Sequence, residues 1–127
     1  MIAERVAAVR ERIARAAQRA SRSPADVKLV AVSKTHPTEA VRAAFAAGVR
    51  DFGENRVQEA EPKIAATADL AASGVCWHLV GHLQSNKDKF IPGNFRWVHS
   101  LASLKLAARL SQAAQTHHCQ IQTLIEV

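Results

Sequence analysis

The sequence has no tyrosine and only six aromatic side chains, four Phe and two Trp, among 127 residues. That leaves little to stack on unpaired bases, and no stacking motif is present. The two cysteines, Cys76 and Cys119, form no Cys-x-x-Cys pair, so a disulfide scaffold is not indicated. No apolar stretch approaches the roughly 20 residues of a membrane span. The opening MIAERVAAVRERI carries charges where a signal peptide has its apolar centre. There is no P-loop, nucleophile elbow or dinucleotide Gly-x-Gly-x-x-Gly. Low-complexity segments and linkers are absent too. These absences describe a soluble protein of the reducing cytoplasm.

What is present is enough for a core. Hydrophobic residues make up 48% of the chain, and 127 residues suit one domain, read here as residues 1–127. The net charge is +6 and is concentrated at the start: Arg5, Arg10, Arg12, Arg15, Arg19 and Arg22 stand against Glu4 and Glu11. Such a helix can bind polyanions, but the ordinary reading is a solvated face, so neither a nucleic-acid nor a membrane partner is expected.

The hydrophobic period switches repeatedly. Ile2, Val6, Val9, Ile13, Ala16/Ala17 and Ala20 recur every three or four residues, the stripe of an amphipathic helix that ends near Ser23-Pro24. Strands are predicted at 27–34, 49–52, 75–80, 95–99 and 120–127. Helices are predicted between them: one capped by Thr35 or Thr38 and stopped at Gly48, one from about Glu54 that Pro62 should kink or break, a short polar one at 84–90, and one over 100–117. One helix followed by alternating strands and helices predicts an α/β fold with a parallel sheet. A complete barrel of eight βα units needs about 250 residues. Five strands therefore make either an open sheet or the first half of a (β/α)8 barrel.

Active sites of parallel α/β folds collect at the C-terminal ends of the strands. Those ends read Ser33-Lys34-Thr35, Gly53-Glu54-Asn55, Gly81-His82-Leu83-Gln84-Ser85-Asn86-Lys87 and His99-Ser100, and they should converge on one mouth. Lys34 shares strand parity with Val30 and Val32. If those valines face an apolar interior, so does the lysine, and a desolvated amine loses its proton more readily and becomes a nucleophile. The alternative is a lysine that has snorkelled to the rim. Cys76, His78 and His82 are close in sequence but match no standard metal spacing, and His117-His118-Cys119 is equally loose, so no metal is expected.

Four stretches then carry a resemblance in order and in register: LVAVSKTHP (29–37), FGENRVQEAEPKI (52–64), WHLVGHLQSNK (77–87) and VHSLASLKLAARL (98–110). Together they resemble the pyridoxal phosphate homeostasis proteins (the YggS/PROSC group), similar in fold to the N-terminal barrel of alanine racemase. The resemblance spans essentially the whole chain. It implies the first half of a TIM-type barrel of PLP fold type III, preceded by an amphipathic helix. It implies that Lys34 holds pyridoxal 5′-phosphate as an internal aldimine, with Asn55, His78, Gln84 and Asn86 in motifs at the cofactor mouth. It implies a protein that binds, buffers or delivers the cofactor in vitamin B6 balance, monomeric and without a settled catalytic reaction.

Two departures accompany it. Ala102 stands where the family usually has an aspartate, a small loss because Ser100 or Ser103 can cap the helix. The family's phosphate-binding serine, glycine and threonine segment, and the group facing the pyridine nitrogen, lie in a second half that this sequence does not contain. Cofactor binding is then expected to be weak, and the open sheet edges invite self-association. The alternatives are a racemase-like enzyme, which needs a second acid opposite the lysine in a chain without tyrosine, or a fragment with no activity of its own.

Overall fold

The computed structural model describes residues 1–127. Its elements run α1 (Ile2–Arg19), β1 (Val30–Val32), α2 (Thr38–Ala46), β2 (Asp51–Glu54), α3 (Val57–Ala66), α4 (Ala68–Ala72), β3 (Cys76–Leu79), β4 (Trp97–Leu101), α5 (Leu104–Thr116) and β5 (Gln122–Ile125), with a 3-10 helix at Ser85–Phe90 before β4. No helix is long and apolar enough to cross a membrane.

All five strands pair in parallel and in chain order, β1-β2-β3-β4-β5. A doubly wound sheet reverses direction at a switch point. This sheet never does: each crossover steps the same way, as in a barrel. Five of eight barrel strands leave one wall of the interior open. Val32 is accordingly 48% exposed, and β5 is exposed along its length.

Strand alternation sorts the residues into two layers. Phe52, Trp77, Leu79 and Val98 turn outward and are buried beneath the helices. Val41 and Ala44 of α2, Ala60 of α3, Leu70 of α4 and Leu106 and Leu110 of α5 complete that core. The opposite set turns inward: Asp51, Cys76, His78, Trp97 and His99 lie on the concave face, where His78 stacks on Trp97 at 5.7 Å. The α1 stripe is only partly covered, with Ala17 buried, Ile2 and Val6 packed on the core and Val9 exposed.

The local predictions needed several corrections. The strands are shorter than the apolar runs, because Leu29, Val49 and Val75 pack or approach the sheet before pairing begins. Thr35 and Thr38 cap nothing: α2 starts after Pro37, and Thr35 sits in a turn at φ 64°. The helix passes through Pro62 to Ala66, and the break comes at Thr67, whose hydroxyl donates to the Lys63 carbonyl at 2.7 Å. Of the two serines considered before α5, Ser103 is the cap, accepting from the Leu106 N–H at 3.1 Å.

Candidate functional site

The strand-end lysine is not buried. β1 stops at Val32, and Ser33-Lys34-Thr35 forms the turn that follows. Ser33 is buried toward α3, while Lys34 is exposed and its amine enters no ion pair. Of the two readings of this lysine, one facing an apolar interior and one reaching the rim, the structure shows the rim. The Lys34 side chain stands exposed beyond the end of β1.

Beside it, the exits of β2 and β3 enclose a cleft of about 650 Å³ lined by Asn55, Glu59, His82, Gln84 and Lys87 among others. The two exits are close because Gly81 permits it: a Cβ there would lie 2.5 Å from the Asn55 carbonyl oxygen. Any side chain at 81 would push the β2 exit, and Asn55 with it, away. Asn55 and Gln84 both line this cleft. Lys34 and Asn86 do not line this cleft; Asn86 lies exposed in the following 3-10 helix. A larger groove of about 1230 Å³ lies along α5 and β5, and none of Lys34, Asn55, His78, Gln84 or Asn86 lines it.

His78 is buried on the concave face within a polar line. Its Nε2 lies 2.8 Å from Asp51 Oδ1, and its Nδ1 lies 2.9 Å from His99 Nε2. A carboxylate only accepts, which assigns Nε2–H of His78 to Asp51 and Nε2–H of His99 to His78. Lys28 approaches the same Asp51 oxygen at 3.6 Å. Burial lowers the pKa of both imidazoles, with Asp51 pulling His78 partly back. The sign follows directly: groups that resist protonation in the fold favour the native state above their unfolded pKa and oppose it below. Stability should therefore fall as pH drops below about 6.5, and level off once the folded values are passed. Urea midpoints between about pH 7.5 and about pH 5.5 read this, and His78→Gln should flatten the slope. A midpoint that rises on acidification would contradict the assignment.

The ligand atoms of Asp51, Cys76 and His78 lie within 4.8 Å of one another, so the fold replaces His82 of the sequence cluster by Asp51. Their chemistry suits hydrogen bonding better than a metal. Asp51 already serves His78 and Lys28, and burial, then the Asp51 carboxylate, raises the Cys76 thiol pKa.

The expected convergence of all strand ends on one mouth is only half realised. Ser33 and Glu54 point to the helix layer instead, while Ser100 donates to the Gly81 carbonyl at 2.7 Å. Glu54 is fully buried; it accepts from the Ser33 hydroxyl and from Lys63 Nζ at 3.1 and 3.2 Å. Lys63 Nζ also donates to the Ser33 carbonyl at 2.7 Å. Sequence reasoning passed over Lys63. The available signal was its place on the buried stripe Val57, Ala60, Lys63, with Glu54 alternating with Phe52 in β2.

A parallel βα half-barrel with a free lysine at the exit of its first strand defines the class, and residues 5–127 match the family described as "Alanine racemase, N-terminal domain". The chain belongs to that family. Among its relatives, the "Pyridoxal phosphate homeostasis protein" of Pseudomonas aeruginosa is 56% identical over 111 residues, 87% of this chain and 47% of the relative. The protein of that name from Escherichia coli is 41% identical over 126 residues, 99% of this chain and 54% of the relative. Among solved structures, PipY of Synechococcus elongatus with PLP bound superposes with a TM-score of 0.82 at 45% identity, covering 97% of this chain and 52% of that one. The structure of "an unknown protein from Bifidobacterium adolescentis" gives a TM-score of 0.88 at 33% identity, covering 97% of this chain and 53% of that one. The chain thus spans about half the length of the relatives it matches.

Proposed function

We propose that this chain is the lysine-bearing half of a pyridoxal 5′-phosphate binding protein of vitamin B6 homeostasis, holding the cofactor as a Schiff base on Lys34. The observation that carries the reading is Lys34 itself: an exposed amine with no counter-ion, at the C-terminal end of β1 and beside a polar cleft. The cofactor supplies an aldehyde and an electron sink. The chain supplies the nucleophile and, around it, hydrogen-bonding groups on Asn55 and Gln84. Asn86, exposed on the following 3-10 helix, is proposed to reach the cofactor from there. His78, buried on the concave face, is engaged with Asp51 and His99 and so is not a free base.

Barrel phosphate sites commonly lie after strands seven and eight. The contribution proposed for these five strands is the covalent capture, whatever holds the phosphate. Borohydride trapping tests this without needing tight binding. The chain is incubated with stoichiometric cofactor, reduced and digested, and the labelled lysine is located by mass. The monomeric fraction from size exclusion is used, because the open β5 edge, with Ile125 78% exposed, invites pairing. Label concentrated on Lys34 and lost in Lys34→Ala is expected. Label scattered over Lys28, Lys87, Lys89 and Lys105 would overturn the reading. Label on Lys63 would report unfolding, since that amine is buried in the native chain.

A further inference from the structure

Lys34 is held by nothing through its own side chain, yet both of its neighbours are. On one side, the Ser33 N–H donates to the Gly53 carbonyl at 2.9 Å, its hydroxyl donates to Glu54, and its carbonyl accepts from Lys63 Nζ at 2.7 Å. On the other, the Thr35 N–H donates to Glu59 Oε1 at 2.7 Å. Thr35 has φ 64°, a left-handed conformation that a β-branched residue adopts only when its surroundings impose it. Glu59 and Lys63 are both on α3, one turn apart, and Glu54 is the last residue of the adjacent strand.

From this we propose that Glu59, Lys63 and Glu54 are positioning residues for Lys34: together they clamp the peptide units on both sides of the lysine and aim its Cα–Cβ bond over the concave face. The proposal rests on the reading that Lys34 captures the cofactor aldehyde. A lysine carries four rotatable methylenes, so only its backbone origin can be fixed in advance. Fixing that origin raises the local concentration of the amine at the mouth, and a displacement of about 1 Å can reduce a reaction a hundredfold. The Ser33 carbonyl accepts from Lys63 Nζ, so the buried ion pair is tied directly to the peptide unit that precedes the lysine. The Glu59 contact, at the surface, contributes little to packing.

The test is the rate of reductive labelling at Lys34 with pyridoxal 5′-phosphate, relative to Lys28 and Lys87 in the same chain. Glu59→Ala should slow Lys34 labelling by about tenfold, within the range such misplacement produces. Thr35→Gly alone should slow Lys34 labelling as well, because glycine allows the same φ but does not fix it. The paired variant Glu54→Gln/Lys63→Met, which strands no charge, should also slow Lys34 selectively while circular dichroism stays native. Equal Lys34 rates in Glu59→Ala, in the paired variant and in the unaltered chain would overturn the positioning role alone. Absence of selective Lys34 label in the unaltered chain would overturn the cofactor reading, and this proposal with it.

Discussion

Lys63→Met is expected to cost about 3–5 kcal/mol of folding stability, the range for breaking a buried ion pair by removing one partner. The Glu54 carboxylate it abandons is fully buried, and Lys63 is 9% exposed. The Ser33 hydroxyl alone cannot solvate that charge, so the variant must bury an uncompensated carboxylate or open α3 from the sheet. Removing both charges is a different matter. Glu54→Gln/Lys63→Met keeps a hydrogen-bonding amide and an apolar stem, and such exchanges are often neutral or better. Urea unfolding of the two variants should therefore differ by several kcal/mol although one contains the other's substitution. If Lys63→Met loses less than about 1 kcal/mol, the pair is more hydrated than its burial implies.

Phe52→Ala is the second large effect, expected near the 3–5 kcal/mol of a buried aromatic truncation. Phe52 is 1% exposed, with its ring centroid 5.6 Å from that of Trp77, at the centre of the helix-side core. Its position gives the loss a functional edge. The same strand presents Asp51 to His78 on the concave face and Glu54 to Lys63 on the other. A cavity at Phe52 should loosen both, so the dependence of stability on pH should shrink along with the denaturation midpoint. A truncation costing under about 1.5 kcal/mol would mean that the neighbouring helices collapse into the space.

The fold was largely legible before any coordinates. The period of 3.6 residues in α1 and α5, the short apolar runs between them and the glycines at 48, 53 and 81 are local signals. Alternation of strand and helix then restricts the architecture to a parallel sheet. The placement of Lys34 at a strand exit was legible for the same reason: it adjoins an apolar run, and His36-Pro37 follows.

What the sequence by itself determined, then, is the order of elements and which residues stand at their ends. Tertiary structure decided which of those residues meet. The register Gly53↔His78 brings Asp51 to His78, and β4 pairing adds His99; these contacts cross 21 to 27 residues of chain. The same packing turns Glu54 and Ser33 away from the mouth and into Lys63, and it decides between the two readings of Lys34, placing it exposed at the rim. The physical reason is that side-chain alternation specifies two faces but not what covers them. Here helices cover one face, and the other gathers Asp51, His78 and His99 into one polar line.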